Sequence, residues 1–134
     1  MCVHTITTKP WSLQECIENY SAAGIPAITV WRNALDPLGL SESARLLKSS
    51  GLRVTSLCRG GFFPAVDAAG RAKAIDDNRR AIEEAHAIGA PHIVLVCGAV
   101  PGIPLPEARK MVADGINAVL PVAKSAGVKL AIEP

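Results

Sequence analysis

Five apolar runs in this chain each end on residues that can bind a ligand or move a proton. They close on His4 and Thr5, on Trp31 and Arg32, on Cys58 and Arg59, on Cys97 and Gly98, and on Glu133. The last is the most telling, because "GVKLAIEP" ends an apolar stretch in a carboxylate. Burying that charge is costly unless it is paired or bound to a cation. A hard divalent ion such as Mg²⁺, Mn²⁺ or Zn²⁺ takes carboxylate, imidazole and water ligands and would remove the cost. The plain alternative is a strand-end acid in water. Pro134, which favours an extended residue before it, fits either.

His4 can contact a ligand or serve as a hydrogen-bonded strand end. Arg59 opens "CRGGFFP", where a guanidinium beside flexible backbone can clamp a phosphate or carboxylate. Over a plain turn the same residue is only surface charge. Arg32 has the same chemistry and ranks behind Arg59. Trp31 offers a stacking face for a sugar, or a roof over an apolar interior. Cys58 and Cys97 read as small buried fillers, and His86 and His92 as structural. There is no Walker loop and no G-x-G-x-x-G, and "CRGGFF" does not open onto a phosphate-binding helix.

A repeated unit would bring these residues to one place. "SAAGIPAITV", "KSSGLRVTSL", "HAIGAPHIVLV" and "KSAGVKLAIE" share one order: the end of a helical pattern, a glycine, then a β-rich apolar run. Gly24, Gly51, Gly89 and Gly127 fall where a helix needs a left-handed residue after its last turn. Strands are expected near Val3–Ile6, Ala27–Trp31, Val54–Cys58, Ile93–Cys97 and Lys129–Glu133. Ser12 and Glu15 form a capping-box pair for the first helix, whose inner face is Leu13, Cys16, Ile17 and Tyr20. The second helix starts near Ser41 and buries Leu46 and Leu47. The third runs from about Arg71 to Ile88 with Ile75, Ile82, Ala85 and Ile88 inward, leaving Asp77, Arg80 and Glu84 on a solvated face. The fourth begins at Pro106, with a stripe of Val112, Gly115, Ile116, Val119 and Ala123. Pro121 inside it should kink or loosen the helix.

Alternation of this kind predicts parallel strands joined by right-handed crossovers. A doubly wound domain of five strands has the right length but would want a fifth helix. The alternative is a TIM barrel of eight units in about 250 residues. The absent fifth helix and the abrupt end favour the second. The expected fold is therefore α/β, of parallel (β/α) TIM-barrel type, present as an incomplete barrel of about five strands and four helices. Residues 1–134 would be the amino-terminal half of one such domain. In either architecture ligands lie at the carboxyl ends of the strands, where the residues above collect. If Glu133 points inward, alternation puts Ala131 inward too and sends Leu130 and Ile132 toward the helices. A half barrel also leaves two strand edges open, which a homo-oligomer could cover.

Composition narrows the class. The apolar fraction of 49% is ample for a packed core, and the aromatic fraction of 4% leaves aliphatic residues suited to helices on a buried parallel sheet. A formal charge of +2 without a basic stripe weighs against a nucleic-acid partner. Cys2, Cys16, Cys58 and Cys97 contain no C-x-x-C pair, which fits free thiols in a reducing compartment. "MCVHTITTKP" lacks the pattern of a signal peptide. The longest apolar stretch, "IVLVCGAV", is far below the roughly 20 residues of a membrane helix. A cytoplasmic protein without membrane contact is expected.

The segments "SLCRGGFFP", "NRRAIEEAHAIGAPHIVLVCG" and above all "GVKLAIEP" resemble the sugar phosphate isomerase/epimerase superfamily of xylose isomerase-like TIM barrels. The similarity covers essentially the whole chain, aligned to the amino-terminal half of that fold. It implies an enzyme that isomerises or epimerises sugars by moving a proton between adjacent carbons. A divalent metal (Mn, Mg or Zn) would polarise the carbonyl and stabilise the oxyanion. The resemblance makes Glu133, the acid ending the fifth strand, a metal ligand and a candidate proton-transfer group. His4, Trp31 and Arg59 stand as contacts to a sugar or polyol substrate. The remaining ligands would come from strands six to eight, which the sequence lacks, so this chain alone is expected to be inactive, with no metal necessarily bound. Two other readings stay open. One is a non-catalytic half-barrel that binds a ligand or associates with itself. The other is the inosose dehydratase or abasic-site endonuclease branch of the same fold, the endonucleases disfavoured by the small charge.

Overall fold

The computed structural model describes residues 1–133; Pro134, and with it the reading that it holds Glu133 extended, lies outside the described residues. Helix ends set the framework. Gly24, Gly51, Gly89 and Gly127 all take left-handed φ, at 68°, 74°, 72° and 68°. After three of them the next amide reaches back into the last turn, from Ile25 to Tyr20, Ala90 to Ala85 and Val128 to Ala123, at 2.8–2.9 Å. That reversal satisfies helix-end carbonyls and launches the following strand.

The strands are β1 (Val3–His4), β2 (Ala27–Trp31), β3 (Arg53–Gly61), β4 (His92–Val96) and β5 (Lys129–Glu133). Between them lie α1 (Leu13–Ala22), α2 (Leu40–Ser49), α3 (Ala68–Ala87) and α4 (Leu105–Ala126). All five strands are parallel and follow chain order, β1-β2-β3-β4-β5. A doubly wound sheet reverses order at a switch point and carries helices on both faces. Sequential order keeps the crossover helices on one face and leaves the other as the inside of a barrel. The fold is of the parallel (β/α) barrel type, with five strands and four helices among the described residues.

The core lies between sheet and helices. Ile28, Val30, Leu57, Ile93 and Leu95 are buried there against Leu13, Leu47, Ile82 and Val119. Each such side chain contributes about 1.5–3 kcal/mol through removal from water. Several boundaries differ from expectation. β1 ends at His4 rather than Ile6, because the Thr5 hydroxyl accepts from the Trp31 amide at 3.0 Å while the chain turns into a 3₁₀ segment, Thr5–Thr8. α3 starts at Ala68, since the Asp67 carboxylate accepts from the Gly70 amide at 2.6 Å and caps the helix early. In α2, Leu47 is buried but Leu46 only half-buried, and Ser43 takes the remaining inner position. α4 runs unbroken through Pro121. Pro121 and Asn117 are both exposed, so the carbonyl that proline leaves without an amide faces water.

The outer face of α3 is also not simply solvated. Arg32 donates to Asp77 at 2.8 and 3.1 Å and to Glu84 at 2.6 and 3.0 Å, a double fork that ties the end of β2 to α3. Arg32 is therefore committed to structure rather than free for a ligand.

β3 runs three residues past its expected end, through "RGG". Cys58 pairs with Val94 and Gly60 with Leu95, so Arg59 is the extra residue of a bulge. Asn78 of α3, only 1% exposed, holds the strand there. Its Oδ1 accepts from the Gly61 amide at 2.6 Å, while its Nδ2 donates to the Gly61 and Ala74 carbonyls, each at 2.8 Å. A Cβ on Gly60 would lie 2.5 Å from Asn78 Oδ1, and one on Gly61 2.0 Å from the Val96 carbonyl oxygen.

Two outcomes follow. Asn78→Ala strands the buried backbone groups of Gly61 and should lower the unfolding free energy by about 3 kcal/mol in urea titrations; a loss below about 1 kcal/mol would contradict the clamp. The Asp77 carboxyl is held below its ordinary range, first by its hydrogen bond from Arg32. A depressed folded value gives stability that is present above the unfolded value of about 3.9 and lost as pH falls through the folded one. The stability gap between the parent and Asp77→Asn should thus be full near neutrality and close in acid. It should stay within about 1 kcal/mol, because the pair is partly exposed. A gap independent of pH in thermal melts would refute this.

Candidate functional site

Register decides which side chains face the inside of the barrel. Ile93 and Leu95 lie under the helices, so Val94 and Val96 point to the concave face. Glu133 pairs with Val96 and Ala131 with Val94, which puts both on that face and turns Leu130 and Ile132 to the helix side. Ile132 is 58% exposed, since no helix covers it among the described residues. Cys58 pairs with Val94, Trp31 with Cys58, and His4 with Thr29, two residues before Trp31. His4, Trp31 and Glu133, at the carboxyl ends of β1, β2 and β5, therefore project from the same face as Cys58, three residues before the end of β3.

Three of the residues singled out above touch. Trp31 Nε1–H donates to His4 Nδ1 over a long 3.4 Å. The His4 carbonyl accepts from the Tyr20 hydroxyl at 3.2 Å, which fixes the end of β1 to α1. Arg59 Cζ lies 5.7 Å from the ring centroid of Trp31 and 4.7 Å from that of Phe62, a cation held over two aromatic faces. Phe62 itself sits at φ 53° and is 44% exposed. Such a backbone costs of order 1–3 kcal/mol and persists only where its surroundings impose it. The Phe62 amide donates to the Val96 carbonyl at 2.8 Å, and a Cβ on Gly98 would lie only 3.0 Å from the Phe62 ring. A pocket of about 300 Å³ opens here, lined by Ile6, Lys9, Trp31, Arg32, Asn33, Cys58 and Arg59.

Burial first, and then the Glu133 carboxylate, push the Cys58 thiol above its ordinary value, with Arg59 acting the other way. Cys58 therefore stays a neutral thiol and is no nucleophile at neutral pH. Glu133 reaches it only through its field, because β5 is two strands from β3, roughly 10 Å across the sheet. The structure brings His4, Trp31 and Arg59 together and leaves Glu133 apart on the same face. Among the described residues no group of three or more His, Cys, Asp or Glu side chains could hold a metal ion. One carboxylate does not make a selective divalent site, so the residues present do not by themselves fit a metal.

Phe62 and Asn78 belong to this site without standing out by type. The signal for Asn78 is a polar residue on the inward stripe of α3, in register with Ile75, Ile82 and Ala85. The signal for Phe62 is weaker, because "FFP" does not say which ring faces out. Phe63 is the buried one, set so tightly on α4 that a Cβ on Gly115 would lie 2.3 Å from its ring.

Residues 17–134 match the family model of the xylose isomerase-like TIM barrel. No curated protein matches the chain significantly. Among solved structures, protein SMc04130 from Sinorhizobium meliloti 1021 is 48% identical over 100% of this chain, with a TM-score of 0.94. The 3-keto-D-glucoside 4-epimerase YcjR from E. coli is 21% identical over 98%, with a TM-score of 0.81. The IolI protein, solved with a zinc atom, is 21% identical over 98%, with a TM-score of 0.82. The last two likenesses show the fold alone. The chain spans 50%, 54% and 50% of these three structures, about half their length. Strands in barrel order, a mouth built at their carboxyl ends, and a family model matching nearly the whole chain place it in the xylose isomerase-like TIM-barrel family.

Proposed function

We propose that this chain is the ligand-binding half of a sugar isomerase/epimerase-type barrel, residues 1–134 forming the amino-terminal half of that domain, and that by itself it binds without turnover. The observation that carries this is the contact between His4, Trp31 and Arg59 at one mouth. An indole face suits the apolar face of a sugar ring, while an imidazole and a guanidinium suit its hydroxyl groups. The epimerase among the structural relatives supports a sugar or polyol as the ligand class. The setting is a cytoplasmic one. No helix among the described residues is long and apolar enough to cross a membrane.

Moving a proton between adjacent carbons needs an acid and a base within hydrogen-bond reach of both, and a stabiliser for the charge that develops on oxygen. Glu133 is the carboxylate this chain would offer as one proton-transfer group and as one ligand of a Mn, Mg or Zn ion. Its partners would come from outside the described residues. A second reading, a non-catalytic module that associates with itself, is favoured by the exposure of Ile132 on the helix side of β5. A second copy would cover that side chain and pair the open edge.

The test is calorimetry of the purified chain against a panel of ketoses and aldoses, followed by assays with Mn²⁺. Expected are saturable binding of a sugar, no turnover, and no Mn²⁺ binding tighter than about 10⁻⁴ M. Trp31→Ala should weaken sugar binding about tenfold. Turnover by the chain alone, or tight stoichiometric Mn²⁺, would overturn the reading. For the second reading, sedimentation should show a reversible dimer that Ile132→Asp dissociates; a monomer at every concentration excludes it.

A further inference from the structure

The mouth holds more cationic capacity than a neutral sugar needs. Lys9, Arg32 and Arg59 line the pocket, and no acidic residue lines it. Arg32 is spent, its guanidinium engaged by Asp77 and Glu84. Among the described residues neither Lys9 nor Arg59 has a carboxylate within ion-pair distance. Glu133, on the same face, is two strands from β3, roughly 10 Å away.

Arg59 is also presented in a particular way. Its Cζ lies 5.7 Å from the Trp31 ring centroid and 4.7 Å from that of Phe62, and its N–H donors make no hydrogen bond among the described residues. A guanidinium with its donors free matches the paired oxygens of a carboxylate or phosphate. Phe62 holds a left-handed backbone, and its ring both approaches Gly98 and meets Arg59. One effect is to hold the guanidinium. Strained backbone of this kind is a mark of ligand clamps. A carboxylate or phosphate engages such a fork through two parallel N–H···O bonds and brings an opposite charge, and a neutral hydroxyl group brings neither.

We propose that the ligand taken at this mouth carries an oxyanion, a carboxylate or a phosphate, and that Arg59, assisted by Lys9, receives it. The inference rests on the sugar-binding reading above and narrows it from sugars in general to acidic ones.

Calorimetry of the full chain at low salt against glucose, glucuronate, glucose 6-phosphate and inorganic phosphate tests it, with circular dichroism checking that each variant folds. The better of the two acidic sugars should bind at least about tenfold more tightly than glucose, and that advantage should shrink as salt is added. Which of the two leads tells carboxylate from phosphate. Arg59→Gln should abolish the advantage, Arg59→Lys should restore part of it, and Lys9→Gln should reduce it. Glucose binding as tightly as both acidic sugars overturns the proposal and leaves the sugar reading standing. Phosphate binding with no sugar binding supports the oxyanion receptor and overturns the sugar reading. An advantage that survives Arg59→Gln removes Arg59 from the role, and failure of all four to bind overturns both.

Discussion

The Asn78 side chain closes both backbone groups of Gly61 inside the core, and the arrangement of the mouth depends on that closure. Asparagine is a poor helix former and costly to bury, so it belongs in the middle of α3 only if its amide is fully used. It makes three bonds, two to Gly61 and one to its own helix. The clamp pins β3 just past the bulge at Arg59, and a bulge re-aims the side chain it carries. The two glycines of "GGFF" exist for this contact, since a Cβ on either would strike Asn78 or the backbone of β4. The two phenylalanines then divide the work. Phe63 anchors α4 through the gap at Gly115, and Phe62 turns outward to meet Arg59.

Charge is allotted with the same economy. Two arginines, one just after β2 and one at the bulge of β3, meet different fates. Arg32 turns to α3, where Asp77 and Glu84 supply two forks, so its charge is cancelled at its origin. Arg59 stays at the mouth with aromatic neighbours, which order a guanidinium without neutralising it. Among the described residues no carboxylate comes within ion-pair distance of Arg59, so its positive charge survives at the mouth.

How much of this the sequence shows depends on whether the deciding contact is local. The four glycine-terminated helices, the parallel order and the strand-end position of His4, Trp31 and Glu133 follow from spacing alone, because caps and alternation are short-range; Arg59 lies inside β3, at its bulge, rather than at its end. The end of β1 is not legible in that way: it depends on the Thr5 hydroxyl meeting the Trp31 amide, 26 positions along. The run of β3 through "RGG" depends on Asn78, 17 positions away. The face of α3 reads as solvated because its acids are spaced like surface residues, and only the arrival of Arg32 from β2 makes them partners. Asn78 was open to detection as a polar residue on an apolar stripe. The outward turn of Phe62 was not, since nothing in two adjacent identical residues says which is buried.

Below the mouth, the β2–β3 part of the concave face is lined by hydroxyl groups, beside Val94, Val96 and Ala131 of β4 and β5, where a barrel interior is more often filled with branched aliphatic side chains throughout. Thr29 is 2.8 Å from the Thr55 hydroxyl and 3.0 Å from that of Ser56, Thr55 donates to the Ile28 carbonyl at 3.2 Å, and the Cys2 thiol lies 3.2 Å from Thr55. His92 Nδ1 is 3.3 Å from the Thr55 carbonyl. This floor satisfies itself, and among the described residues no buried side-chain nitrogen or oxygen lacks a partner. Such a layer can be sealed from water without stranding a polar group, so it neither recruits a ligand nor resists closure of a barrel around it. Arg59 stands in the opposite condition. Its donors are satisfied by solvent while the mouth is open, and shutting water out would leave them unpaired unless something with acceptor oxygens takes its place. Among the described residues the unpaired guanidinium donors are thereby concentrated in one layer of the fold, at the bulge of β3.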